Sequence, residues 1–168
     1  MALAESFGVS RGPIRHALLQ LTKEGLLESK SNVGVKVAKH PSIDVFDVIV
    51  KLRQDIESFV VSHVFDKIDS DDLLEIEEIL SKLKKRCEEG DINAVYESDF
   101  AFHEFFIRKF DDKHILDLWY SIISRMMMKY TRFEDDLMGS YREHKAIYDL
   151  IVKEDKAKTI SQIMANIQ

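Results

Sequence analysis

The sequence predicts a mainly α protein in two parts, a small basic N-terminal module and an antiparallel all-α bundle of about six helices. Three observations carry this. Apolar residues recur every three or four positions over long stretches, which is the helical period. Only six glycines and two prolines interrupt the 168 residues. The charge is also unevenly spread: residues 1–40 carry six Lys/Arg against three Asp/Glu, and residues 41–168 carry eighteen against twenty-seven. An acidic body repels phosphates, so within a net charge of −6 only the basic head suits a nucleic acid. The division falls near Pro41, giving domains at 1–40 and 41–168.

Composition removes other classes. Hydrophobic residues at 45% and charged residues at 32% are globular values. No apolar run approaches the roughly 18 residues that span a membrane, and no signal-peptide pattern opens the chain. The single Cys87 has no internal disulfide partner, which points to a reducing cytoplasm.

Within the head, Leu3 to Phe7 reads as the end of a helix and Gly8-Val9 as a tight turn. Ser10 is placed to cap the next helix by accepting a backbone N–H bond. Pro13 is tolerated there because first-turn amides lack helical partners anyway. Ile14, Ala17, Leu18 and Leu21 form a stripe expected to be buried, with Arg11 and Arg15 off it. Leu26 to Ser29 and Val33 to Val37 then read as a hairpin, the wing of a partial winged helix-turn-helix. An arginine fork binds guanine O6 and N7 bidentately, so Arg11 and Arg15 are candidate base readers, beside Ser10. Lys30, Gly34 and Lys36 belong to the wing, where the lysines can meet phosphates.

The run Ser10-Arg11-Gly12-Pro13-Ile14-Arg15-His16-Ala17-Leu18, continuing to Glu24-Gly25-Leu26, resembles the recognition helix of GntR-type regulators. Their pattern is S-R-x-P-V-R-x-A-L-x-x-L-x-x-E-G-L. The resemblance implies a DNA-binding transcription regulator. It also implies that roughly 25 residues of the family's head, including its first helix, lie before the point matching Met1, so the head is expected to be truncated.

Six helical segments follow, at roughly 43–67, 70–89, 92–109, 112–138, 140–153 and 155–168. Gly90-Asp91 ends one and caps the next. Gly139 followed by Ser140-x-x-Glu143 reads as a helix stop and a capping box, and Asp155 caps the last segment. Short links between amphipathic helices make an antiparallel bundle. Polar residues on apolar faces stand out. Asp99, Phe102, His103, Phe106 and Phe110 share one face, and a carboxylate there is costly to bury alone. Asp99 and His103 are one turn apart and can converge on one ion, or simply pair with each other. His144 lies on a face with Ile147, Tyr148 and Ile151, and Asn166 flanks the stripe of Ile160, Ile163 and Ile167.

This order, D-x-x-F-H, then H-x-x-I-x-x-L-I, then a polar residue 22 positions on, resembles the FCD effector domain of FadR-like GntR regulators. Leu52-Arg53 and Ile56-Glu57 fall on that domain's opening L-R-x-x-[LI]-E pattern. The resemblance implies a divalent metal held by Asp99, His103 and His144. The fourth position falls on Asn166, where the family usually has histidine. It also implies a small organic acid effector, a homodimer and a palindromic operator on double-stranded DNA. Mixed oxygen and nitrogen ligands suit Zn, Ni, Mn or Fe. Arg53, Arg125 and Arg132 are candidate holders of the effector carboxylate, weighed against surface salt bridges. Met126-Met127-Met128 with Trp119 and Tyr130 reads as core or pocket lining, and the basic run 82–86 as a solvated face. Two further readings stay open: a metal-dependent enzyme built on Asp99, His103 and His144, and a stand-alone sensing bundle whose DNA head has decayed.

Overall fold

A computed structural model describes residues 2–31, 34–128 and 136–168. The chain separates into two compact units, Met1–Ser42 and Ile43–Gln168.

The first unit contains helix α1 (Ala2–Ser6), helix α2 (Arg11–Lys23) and an antiparallel ribbon of β1 (Leu27–Lys30) and β2 (Gly34–Val37). Gly8 takes a left-handed φ of 62° in the turn between the helices, a conformation that L side chains rarely adopt. Ser10 has the extended backbone of an N-cap, but its hydroxyl accepts no capping bond. Pro13 removes one candidate donor. It occupies the third helical position, one of the two whose N–H a capping side chain normally receives, and it has no N–H to give. The expected buried stripe is also corrected. Ile14, Leu18 and Leu21 are half-buried, Ala17 is exposed, and no residue of α2 is buried. A five-residue helix and a two-strand ribbon offer too little surface to cover thirteen helical residues. They leave an apolar groove of about 610 Å3 lined by Leu3, Ile14, Leu18, Leu19 and Val35.

The second unit is the helical bundle: α3 (Ile43–Val64, extended by a 3-10 turn over Phe65–Lys67), α4 (Ser70–Glu89), α5 (Ile92–Phe110), α6 (Lys113–Met127), α7 (Leu137–Val152) and α8 (Lys156–Asn166). Aspartates open five of these helices. Asp69, Asp91, Asp112, Asp136 and Asp155 each accept first-turn amides of the helix that follows, and negative charge there complements the helix dipole. The predicted helix 112–138 is not continuous: α6 ends at Met127 and α7 begins at Leu137. Gly139-Ser140 is not a boundary either. The Asp136 carboxylate accepts the Gly139 amide at 3.1 Å, so the cap falls four residues before Ser140. Ser140 is thereby carried into the helix and fully buried.

Helix α3 packs on α5, α6 and α8, while α4 packs on α5 and α7. Val60, Val64, Ile76, Leu83, Val95, Phe102, Ile107, Trp119, Ile147 and Ile163 fill the core. The basic run on α4 is solvated as expected, with Lys82, Lys84 and Lys85 paired to Glu78, Glu88 and Glu89. No helix among the described residues is long and apolar enough to cross a membrane.

Candidate metal centre and DNA-facing surface

Four helices bring polar side chains to one point inside the bundle. Helix α5 supplies Asp99 and His103 one turn apart, α7 supplies His144 and Ser140, α8 supplies Asn166, and α3 supplies Arg53 and Glu57. All seven are at most 5% exposed. One ligand atom from each of Asp99, His103 and His144 lies within 4.8 Å of the others. The Nε2 atoms of His103 and His144 are 3.3 Å apart, and His144 Nε2 is 3.6 Å from Asp99 Oδ2. The Oδ1 of Asn166 lies 2.9 Å from His103 Nε2.

Hydrogen bonds on the far side of each ring set the protons. His103 Nδ1–H donates to Glu57 Oε2 at 2.6 Å, and His144 Nδ1–H donates to the Ser140 carbonyl at 2.8 Å. With the proton held at Nδ1, each imidazole turns an Nε2 lone pair inward. Burial pushes the His144 imidazole below its ordinary range, against the pull of Asp99, which keeps it in the neutral, ligating form. Asn166 donates its amide N–H to Glu143 Oε2 at 2.8 Å, so its oxygen also faces inward. A carboxylate, two imidazole nitrogens and an amide oxygen therefore direct lone pairs at one small volume. Lone pairs in such contact repel unless a cation or a proton lies between them. This donor set fits a divalent ion of the Zn, Ni, Mn or Fe kind.

Glu57, which the sequence places in the opening L-R-x-x-[LI]-E pattern without a role in the site, is central to it. Its Oε1 accepts from Arg53 Nε and from Trp119 Nε1, both at 2.7 Å, while its Oε2 holds His103. Burial alone would raise its carboxyl, but Arg53 and His103 reverse this and hold it well below the usual carboxylate range. The signal was present: Arg53 and Glu57 share a helical face with Ile49, Val60 and Val64, an ion pair on an apolar stripe.

The candidate arginines are placed differently from one another. Arg53 is neither at the surface nor solvated, because the Glu57 pair lies inside the bundle. It lines a narrow cavity of about 10 Å3 with Asp99, Phe100, Ile123, Met126 and Met127. Arg125 is turned back on its own helix, donating to the Ser121 carbonyl at 2.5 Å, and is not among the residues lining that cavity. Arg132 and Tyr130 lie outside the described residues. In the head, Arg11, Arg15, Lys30 and Lys36 are all exposed, and Arg11, Arg15 and Gly34 stand along the rim of the apolar groove. Lys36 pairs across the ribbon with Glu28 at 2.9 Å, an exposed pair of the weak kind that a phosphate can displace. Val33 of the expected wing hairpin is outside the described residues.

A basic helix-turn-helix head with a β ribbon, followed by a helical bundle with a buried polar cluster, defines a protein of the DNA-binding regulator class. The comparisons resolve this further. Residues 48–168 match the FCD domain family, and residues 1–37 match the family described as bacterial regulatory proteins, gntR family. The chain belongs to the GntR family and carries an FCD domain; it is a transcription regulator. The HTH-type transcriptional regulator YdhC of Bacillus subtilis is 30% identical, covering 98% of this chain and 75% of that protein. The gluconate operon transcriptional repressor of the same organism is 26% identical over 98% of this chain and 70% of its own length. The fold is similar to that of Escherichia coli McbR/YncC, with TM-score 0.89 at 20% identity over 99% of this chain and 81% of that one. A solved metal-free FCD domain of a transcriptional regulator is similar with TM-score 0.66 at 22% identity, over 77% of this chain and 90% of that chain. The matched families and these relatives are regulators and not enzymes, which sets aside the metal-dependent enzyme.

Proposed function

We propose that this regulator responds to a small organic acid bound at a divalent metal ion inside its bundle, and that it binds a palindromic operator as a homodimer. The observation that carries the sensing half is the convergence of Asp99, His103, His144 and Asn166 with their lone pairs facing one another. Those four residues would hold the metal, and Glu57 and the Ser140 carbonyl would hold the two imidazoles in their ligating tautomer. A bound divalent ion supplies a positive centre on which an organic carboxylate is held. The cavity beside Asp99 has room for about one water, so an effector enters only as flexible neighbours such as Met126 and Met127 give way. Among the described residues, Arg53 lines that cavity and is the candidate arginine that could meet a carboxylate there. Control follows only where the ligand binds two arrangements of the protein unequally.

The dimer reading rests on α3. Val45, Val48, Leu52 and Phe59 are exposed at helical spacing, a second apolar stripe beside the face that α3 buries in the core. A second copy pairing on this stripe makes a two-fold assembly, and two-fold symmetry matches inverted half-sites. On each head, Arg11 and Arg15 would read bases, while Ser10, Lys30, Gly34 and Lys36 would lie along the backbone.

The test is binding of the purified protein to the DNA upstream of its own gene, measured by fluorescence anisotropy with and without added metal and candidate organic acids. Specific binding that changes with the acid only when metal is present is the expected result. Binding no tighter than to random DNA overturns the operator half, and indifference to metal and acid overturns the sensing half.

A further inference from the structure

Resting on the metal reading above, we infer that Glu143 supplies the site with its fourth ligand by fixing the Asn166 amide with oxygen, and not nitrogen, toward the cluster. An amide has one accepting end and one donating end, and its neighbours decide which faces where. Asn166 is 3% exposed, so water does not compensate a wrong choice. Two acceptors compete for its NH2 group. One is Glu143 Oε2 at 2.8 Å; the other is His103 Nε2 in the Nδ1–H tautomer that ligates a metal, with Nδ1–H bonded to Glu57. The amide can turn its nitrogen to only one of them. Glu143 is a charged, acceptor-only group, and hydrogen bonds to charged groups are about twice as strong as neutral ones. The nitrogen goes to Glu143, and the oxygen is left 2.9 Å from His103 Nε2.

The main chain around Asn166 is pinned from the opposite side. Gln54 of α3 donates to the carbonyls of both Met164 and Ile167 at 2.9 Å, closing the end of α8. With the backbone held, rotation of the amide is the freedom that remains, and Glu143 governs it. Helix α7 thus contributes one ligand, His144, and through the preceding residue orients another. The outcome is a donor set of two nitrogens and two oxygens, harder than a set of three imidazoles and one carboxylate, and relatively more favourable to Mn2+. Glu143 is a positioning residue here.

The experiment titrates Mn2+ and Zn2+ into the metal-freed full chain by competition with a fluorescent chelator. It compares wild type, Glu143→Gln, Asn166→Ala and the double variant, with far-UV circular dichroism reading the fold of each. Glutamine presents either an oxygen or an NH2 group, so it no longer dictates the amide. Glu143→Gln is expected to weaken Mn2+ about tenfold or more, as loss of an orienting partner does, and to weaken Zn2+ less. In the Asn166→Ala background the same change is expected to do nothing. A second pairing, Glu143→Gln with Asn166→Asp, offers oxygen from either end at 166 and is expected to regain Mn2+ binding. Wild-type affinity in Glu143→Gln overturns the inference, as does an equal loss in the Asn166→Ala background or failure of the Asp pairing to recover. Wild type that binds neither ion overturns the metal reading itself, a distinct result.

Discussion

Replacing Glu57 with glutamine tests whether the bundle is organised around one buried charge. The carboxylate accepts three donors: Arg53 Nε at 2.7 Å, Trp119 Nε1 at 2.7 Å and His103 Nδ1 at 2.6 Å. Glutamine keeps one oxygen, which can still serve Arg53 and Trp119. Its NH2 group then faces the His103 Nδ1–H, donor against donor, until the ring changes tautomer. Arg53, 5% exposed, loses the Glu57 charge. Breaking a buried ion pair by removing one partner costs about 3–5 kcal/mol. Because the glutamine oxygen still accepts, the lower end applies, about 3 kcal/mol. For domains of this size that is a fall in Tm of about 6–12 °C. The assay is urea and thermal unfolding of metal-free protein, followed by far-UV circular dichroism and by the fluorescence of Trp119. That residue is the sole tryptophan of the chain, and its indole N–H is bonded to the substituted group. The tautomer change should also weaken metal binding about 10–100-fold, the usual effect of losing a partner behind a ligating histidine. A variant within about 0.5 kcal/mol of wild type would refute the reasoning, since a surface substitution does no more than that.

Three further outcomes are expected. Leu52→Asp combined with Phe59→Asp places two charges on the exposed α3 stripe; sedimentation should show a monomer with an unchanged helical spectrum, and a persisting dimer would place the contact elsewhere. Arg11→Ala and Arg15→Ala should each cost operator affinity and base discrimination of about 1–3 kcal/mol; Lys30→Ala should instead weaken all sequences alike and reduce the salt slope by about one. Tyr148 should titrate late. Burial, together with its hydrogen bond to Glu77, pushes its hydroxyl up to about 12, so tyrosinate absorbance should show a lagging step well above the ordinary pH 10, beside that of Tyr120, which its bond to Glu104 also raises. The sign follows: this contribution to stability is complete below pH 10 and is lost as pH rises from 10 toward 12. Glu77→Gln should move the lagging step downward, and an unmoved step would show that Glu77 plays no part.

What was legible in the sequence is what local periodicity encodes. Asp99 and His103 share a turn with Phe102 and Phe106, so their inward direction follows from the helical repeat. His144 beside Ile147 and Ile151, and Asn166 beside Ile163 and Ile167, follow in the same way. Glu57, Trp119 and Glu143 were less visible because their roles are contacts between distant segments. Glu57 reaches His103 across 46 positions and Trp119 across 62, and no period reports that. The Gly139-Ser140 boundary failed because two local signals competed and Asp136 took the cap first. Ser10 keeps the extended backbone of an N-cap without the side-chain bond, and Pro13 removes one of the two amides that could have supplied it. The α2 stripe was correct as a pattern, yet burial depends on partners, and this unit supplies few.

The most direct test is to count metal ions in the protein as purified and then after stripping and equilibrium dialysis against Mn2+ or Zn2+, beside Asp99→Ala and His144→Ala. The account predicts close to one ion per wild-type chain and almost none in either variant, with the fold of both retained. Wild type that holds no ion, or variants that hold as much as wild type, would contradict it.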